Sequence, residues 1–342
     1  MLAIVIIVIL LAFAFTYTNG FQDASSVAAS FIASRSAMPK QGILFVAGMD
    51  FLGALLGGSA VAFTISGLLL MEPSTQLVVV VLAALVGATS WNLITWRSGL
   101  PSSSTHALIG GLIGAGLVAG GVESIAWGLQ ELIVAPHELT GFVKILVFLI
   151  VSVLIGFIGG YALHRAVKFL LRNAKRSVNG SLVNLNWVAA GAMAFANGAN
   201  DSQKQLGVIA LVLFAAGISA TLEVPFWGRL GCALLLGLGT LSGGWRVMTT
   251  LGRKIFKIEP VHSFDSQLSS GAAIALSTAF GAPVSSTQVI SLSVIGVGSA
   301  DNPRKVRWSV GKEIVAAFLI TIPVTMIISG VVYLVLALPS GG

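Results

Sequence analysis

Apolar residues in this chain come in unbroken runs, not in the alternation of a half-buried strand. The first seventeen residues, "MLAIVIIVILLAFAFTY", carry no charge. The apolar runs reach about 20 residues, enough to cross a hydrocarbon core as a helix, whereas barrel strands alternate over about 10. The pattern predicts a helical, polytopic membrane protein. The first run then passes into "TNGFQDASSVAAS" (Thr18 to Ser30), which brings in Asn19, Gly20, Gln22 and Asp23 together. From Met1 to Arg35 is far more chain than one straight span needs at about 1.5 Å per residue. The excess predicts a break at Asn19-Gly20 that leaves Asp23 partway across, since glycine accepts backbone angles other residues avoid. Freed carbonyls and the Asn and Asp oxygens could then ligate a cation. The plainer alternative is that Asp23 caps the next helix, and the two roles are compatible.

The polar interruption recurs. Asn19-Gly20-x-x-Asp23 matches Asn197-Gly198-x-x-Asp201 in "ANGANDSQKQLG". A second pair follows, "GLPSSSTHALIGG" from Gly99 and "GAPVSSTQVISLS" from Gly281. Between them, "LLGGSAV" from Leu55 resembles "LSGGWRV" from Leu241. Three landmarks in one order mark an internal duplication.

Charge then sets orientation. Where the first repeat has Arg35 and Lys40 after its first motif, the second has only Glu223. The next loop has Glu72 in one copy and Arg253, Lys254 and Lys257 in the other. After the Pro-Ser motifs, Glu123, Glu131 and Glu138 stand against Arg304, Lys305, Arg307 and Lys312. Lys and Arg mark the cytoplasmic side, so the copies lie in opposite orientations with both termini outside. The expected fold is all-α, with two inverted repeats containing broken helices or re-entrant hairpins, and about 10–12 membrane segments. Its expected organisation is a first repeat with an extra span over 1–163, a basic cytoplasmic linker over 164–186, and a second repeat with a final span over 187–342.

Composition agrees and removes other classes. The chain is 56% hydrophobic and 9% charged, against about 25% charged in a soluble domain. Its mean hydropathy is +0.96. The net charge of +7 sits in short loops, so it sets topology and does not signal nucleic acid. The lone Cys232 excludes an internal disulfide. The first segment lacks a basic leader, so it reads as a retained span.

A carboxylate inside a membrane costs about 2.5–3.5 kcal/mol on insertion scales, which makes Asp23 and Asp201 functional candidates. The hydroxyl clusters Ser103, Ser104, Thr105 and Ser285, Ser286, Thr287 are ordinary helix starts. Duplicated, they also offer two helix N-termini to an anion. Lys204 lies one turn past Asp201, so it forms either an i,i+3 ion pair or a direct substrate contact. Asp50 and Arg246 also fall in apolar segments, and Arg97 reads as a cytoplasmic anchor. His106 has Gln288 as its counterpart, which excludes a symmetric role and favours packing.

These motifs resemble the inorganic phosphate transporter (PiT) family, in its compact bacterial low-affinity branch. The resemblance implies uptake of inorganic phosphate with Na+ or H+, without a cofactor. It maps the family's essential aspartates onto Asp23 and Asp201, its motif serines onto Ser103 and Ser285, and an acidic position onto Asp50. Three positions depart from it: Gln22, Gln267 in place of a Glu, and Gln288 in place of a His. The candidate phosphate set is the six hydroxyls with Asn19, Asn197 and Lys204. The candidate cation-coupling set is Asp23, Asp201, Asn200, Gln22, Asp50 and Gln267, with the two aspartates as candidate Na+ ligands. The expected location is the inner (plasma) membrane. A homodimer and a soluble cytoplasmic regulator are partners the resemblance leaves open.

Three rivals remain at this point. A carrier of sulfate or another oxyanion would share the fold. An anion channel would not need the coupling aspartates. An intramembrane aspartyl protease would need two facing carboxylates, but its Gly-x-Gly-Asp setting is absent.

Overall fold

In hydrocarbon, every backbone N–H and C=O must find a partner inside the chain, and helices satisfy this locally. The computed structural model describes residues 1–98, 102–175, 177–243 and 257–338. Within these it has twelve α-helices and one isolated bridge, Leu69 to Ile125. Gly99 and Pro101 of the first Pro-Ser motif, Arg176, Arg246, Arg253 and Lys254 lie outside the described residues.

The helices are α1 (Leu2–Ala33), α2 (Pro39–Leu56), α3 (Ala60–Ser66), α4 (Thr75–Ser98), α5 (Ser104–Gly120), α6 (Leu129–Ile133), α7 (Gly141–Leu170), α8 (Val178–Ala215), α9 (Phe226–Gly243), α10 (Pro260–Ala279), α11 (Ser286–Asp301) and α12 (Trp308–Ala337). Among the described residues, α1, α4, α7 and α12 are long and apolar enough to cross a membrane unaided, and the bent pair α2–α3 makes a fifth. The expected larger count includes the shorter hairpin arms. It also includes α8, whose Asn197, Asn200, Asp201 and Lys204 lower its hydropathy.

Two helical hairpins place the Pro-Ser motifs. In the first, α4 and α5 run antiparallel, with Gln76 at the start of α4 donating to the Ala119 carbonyl at the end of α5 (2.9 Å). In the second, His262 at the start of α10 faces Asp301 at the end of α11 (3.8 Å). The tips meet, because Thr105 of the first donates to the Val284 carbonyl of the second (2.8 Å).

The mouths lie at opposite ends of α1, a helix of 32 residues and hence about 48 Å long. Thr75 at the first mouth reaches Met1 (3.6 Å). Beyond the other end of α1, Ser36 accepts from Asn186 Nδ2 (2.9 Å), which also donates to the Pro260 carbonyl at the second mouth (2.8 Å). α8 runs the other way, from Asn186 at the second mouth to Gln203, which accepts from Val61 N–H in α3 (2.8 Å). The duplicated motifs therefore sit on antiparallel helices. One apolar cluster gathers Val5 to Phe15 of α1 with Leu206 to Ala215 of α8. Another gathers Val27 to Phe31 with Ala190 to Ala196. Asp23 and Asp201 lie in the polar seam between the two.

Two expectations need correction. Neither α1 nor α8 breaks at its Asn-Gly pair; both are continuous helices. The glycines serve close approach instead. A side chain on Gly20 would collide with the Leu236 carbonyl of α9, and one on Gly198 with the Asp50 carbonyl of α2. The bend lies at Gly57-Gly58-Ser59, between α2 and α3, which meet at 71°. Arg229 of α9 satisfies the freed groups there, donating to the carbonyls of Gly57 and Gly58 (3.1 Å to the latter) and to Ser59 Oγ (2.6 Å). The expected linker over 164–186 is also mostly helix, since only residues 171–177 separate α7 from α8.

Candidate functional site

Asp23 is where the two hairpins meet α1. Ser104 Oγ, on the first residue of α5, lies 2.6 Å from both Asp23 Oδ2 and Asn19 Oδ1 and shares its one proton between them. Thr287, in the first turn of α11, donates to Asp23 Oδ1 (2.5 Å). Asn19 and Asp23 are four residues apart and so share one helix face. Asp23 is 3% exposed and Asn19 fully buried, so the cluster is closed to solvent.

Asp201 has a matching place on α8 with different partners. Its Oδ1 accepts from Lys204 Nζ and from Ser286 Oγ (3.2 Å). Lys204 also donates to Thr105 Oγ1 (2.6 Å) and the Val284 carbonyl (3.0 Å). Of the two sequence readings of Lys204, the ion pair is the contact formed here. Asn200 ties α8 to the second hairpin, donating to Thr278 Oγ1 (2.9 Å) and the Ala282 carbonyl (3.1 Å) and accepting from Val284 N–H (3.2 Å).

Five of the six candidate hydroxyls make hydrogen bonds here, and three of them bond to the motif aspartates. Ser104 and Thr287 bind Asp23, Ser286 binds Asp201, and Thr105 links Lys204 to Val284. Ser103 caps α5 by accepting from His106 N–H (3.3 Å). Ser285 Oγ is buried with no protein partner, as are Asn19 Nδ2 and Asp201 Oδ2.

The remaining candidates bond to neighbouring groups. Asp50 is fully buried and accepts from Asn197 Nδ2 (3.0 Å) and Thr240 Oγ1 (3.2 Å). Gln22 reaches Thr95 Oγ1 (3.3 Å). Gln267 donates to the Val27 carbonyl and Ser30 Oγ of α1, both at 2.9 Å. His106 packs edge-on to Phe318, with ring centres 4.3 Å apart, but neither of its buried ring nitrogens has a hydrogen-bond partner among the described residues, so the histidine is packed and not satisfied. Arg97 is exposed at the end of α4.

Several contributors were not visible in the sequence. Thr95, Thr240, Thr278 and the Val284 carbonyl hold the candidate side chains, and Arg229 closes the α2–α3 bend. Only Arg229, a charge in an apolar run, carried any signal.

Among the described residues, the centre sets Asp23, Asp50 and Asp201 against one ammonium, Lys204, and all four are buried. Unpaired charge away from water is costly, so this arrangement favours a captured cation or proton. The donor set of carboxylate, amide and hydroxyl oxygens suits a hard cation such as Na+. The paired helix N-termini of α5 and α11 suit an anion.

Comparisons with known proteins agree with this chemistry. A model described as the phosphate transporter family matches residues 19–184 and 173–329. A "Probable low-affinity inorganic phosphate transporter" of Bacillus subtilis is 34% identical, over 98% of both chains. One from Rhizobium meliloti is 36% identical, over 93% of this chain and 92% of the other. The solved structure titled "The sodium-dependent phosphate transporter" superposes with a TM-score of 0.86 at 26% identity, covering 98% of this chain and 99% of that one. By family model, relatives and fold together, this chain belongs to the phosphate transporter family.

Proposed function

We propose that the chain imports inorganic phosphate by symport with a cation, Na+ or H+, through alternating access of two inverted repeats. One observation carries the reading: Asp23 accepts hydrogen bonds from the tips of both hairpins, Ser104 on one side and Thr287 on the other. Phosphate beside Asp23, Asp50 and Asp201 would be repelled by them. A cation or proton at Asp23 removes that repulsion, and each ion thereby strengthens the binding of the other.

A captured cation also frees hydroxyls. Ser104, Thr287 and Ser286 now donate to carboxylates; once Asp23 is neutralised, Ser104 and Thr287 can turn to an anion at the N-termini of α5 and α11. The unpartnered Ser285 Oγ and Asn19 Nδ2 lie on the same motifs and would complete its shell. Because the hairpins open at opposite ends, movement of one against the other would expose the seam to each side in turn. The basic end, with Lys168, Lys175, Lys257 and Lys305, is assigned to the cytoplasm of the inner membrane, and both termini to the outside. Sodium is the first cation to test, since the structural relative is titled sodium-dependent.

The test is labelled phosphate uptake into proteoliposomes, with sodium and pH gradients imposed separately. Uphill accumulation that collapses with one gradient supports symport and names the ion. Uptake that never exceeds equilibrium under either gradient would sink it in favour of a channel.

A further inference from the structure

At the basic end, a second cavity lies apart from the seam. It holds about 430 Å³ between the end of α7, the 171–177 connection, the start of α8 and the mouth of the second hairpin. Its basic lining comes from four separate segments: Lys168 on α7, Arg172 and Lys175 in the connection, Lys257 before α10, and Lys305 after α11. Topology alone asks for basic residues at this end, but not for their convergence on one cavity.

The opposing charges are already engaged. Glu259 caps α10 with its carboxylate. Asp301 accepts from Lys168 (2.8 Å). Lys175, Lys257 and Lys305 are exposed cations lining the cavity, and so is Arg172, whose guanidinium stacks on Phe169 at 4.6 Å from the ring centre. The cavity also holds a buried group with an unused atom. His164 donates or accepts through Nδ1 at Asp265 Oδ2 (2.7 Å), while its Nε2 has no hydrogen-bond partner and lies 3.9 Å from Asp301 Oδ1.

A metal ion is the other occupant that His164, His262 and Asp301 suggest. Two facts oppose it. His262 Nδ1 accepts from Glu259 N–H (3.1 Å), so in the neutral ring Nε2 carries the proton and cannot ligate. Lys168 already occupies Asp301, with the other cations close by.

We infer that this cavity binds a soluble oligophosphate, a di- or triphosphate group, and is distinct from the phosphate pathway. The volume falls in the range of small-ligand sites, about 300–1,000 Å³, and exceeds what one orthophosphate fills. Five cations against Glu259 and Asp301 leave the lining three positive charges, which match a di- or triphosphate better than orthophosphate. Arg172 supplies the planar fork that phosphate oxygens accept bidentately. The bound ligand would bridge the connection between the chain halves to the second hairpin's mouth.

The test uses full-length protein in nanodiscs of zwitterionic lipid, titrated with pyrophosphate and, separately, with orthophosphate and Zn2+. Calorimetry reads the binding, so the result does not depend on the chain being a symporter. Pyrophosphate is expected to bind saturably and more tightly than orthophosphate. The double variant Arg172→Gln/Lys305→Gln should weaken it at least about tenfold, the loss of two charge-assisted contacts. Arg172→Lys/Lys305→Arg, which keeps the charge, should largely retain it. Both positions are exposed, so folding is not at stake. Equal pyrophosphate affinity in the charge-removed variant overturns the inference, as does preferential binding of orthophosphate or Zn2+. Loss of pyrophosphate binding in nanodiscs of anionic lipid would assign the cavity to a lipid headgroup and overturn the soluble ligand.

Discussion

Asp23 and Asp201 hold matching places on antiparallel helices, yet among the described residues only Asp201 is bonded to an ammonium. Three residues beyond Asp201 stands Lys204, whose ammonium bonds its carboxylate. Three beyond Asp23 stands Ser26, whose hydroxyl bonds back to the Asp23 carbonyl and leaves the carboxylate to Ser104 and Thr287. Among the described residues, the carboxylate of the second half is bonded to a lysine, whereas that of the first is bonded to hydroxyls alone. If the chain is a symporter, we propose Asp23 as the site of the coupling cation and Asp201–Lys204 as a fixed, neutral pair. Duplication supplied two similar frames, and one lysine made their chemistry unequal.

The largest expected effect tests the Asp23 side. Asp23→Asn keeps the shape and removes the charge that would recruit the cation. Gradient-driven phosphate uptake should fall to background while the protein still folds. Asp201→Asn should also abolish uptake, through the loss of the Lys204 and Ser286 contacts. Near-normal accumulation by either variant in proteoliposomes would remove the aspartates from the mechanism.

Stability should separate the two variants. Asp201→Asn leaves Lys204 buried without its carboxylate, and breaking a buried pair in this way costs about 3–5 kcal/mol. Asp23→Asn removes a buried charge whose described hydrogen-bond partners are hydroxyls, so it should cost less stability than Asp201→Asn. Thermal unfolding of both in the same detergent reads the difference. Equal losses would mean that Asp23 has a fixed counter-charge after all.

The membrane class, the paired motifs and the two aspartates could be read from the sequence because they depend on residue type and order. Uncharged runs have few alternatives to helices in lipid, and a carboxylate within them needs a purpose. The path of the chain was less legible. The hairpin arm α4 is as long and apolar as a full span, so composition could not show that α5 returns to the same end. The Asn-Gly pairs looked like breaks because glycine serves two opposite ends, backbone freedom and close packing, and the sequence does not say which. The real bend fell at the Gly57-Gly58 landmark, where Arg229 could satisfy the exposed carbonyls. Partners such as Thr95, Thr240 and Thr278 were invisible, since a threonine on an apolar helix gives no hint of what it faces.

The glycine finding can itself be broken. Ala in place of Gly inside an exposed helix ordinarily stabilises by about 1 kcal/mol. At Gly20 or Gly198 the added methyl meets backbone of α9 or α2, so the sign should reverse to a loss of about 1–3 kcal/mol. Gly48, also helical, has nothing near its missing side chain and is the control: Gly48→Ala should be neutral or stabilising. A gain in melting temperature at all three positions would overturn close approach as the reason for the motif glycines.

The smallest effect concerns the hydroxyls, and it probes the inequality of the two sites most directly. Ser104 supplies a bond of 2.6 Å, its one proton shared between Asp23 and Asn19. Ser286 supplies one of 3.2 Å to a carboxylate that Lys204 already holds. Hydrogen bonds to charged groups contribute about 1.5–3 kcal/mol, and ordinary ones about 0.5–1.5. Ser104→Ala should therefore cost more stability than Ser286→Ala, by about 1 kcal/mol or somewhat more. It should also raise the cation concentration needed for half-maximal uptake, because a coordinating oxygen is lost beside Asp23. Ser286→Ala should leave that concentration nearly unchanged, since Lys204 stands where a second cation would bind. If Ser286→Ala shifts the cation requirement as much as Ser104→Ala does, the coupling ion is not confined to the first site and the neutral-pair reading of Asp201 fails.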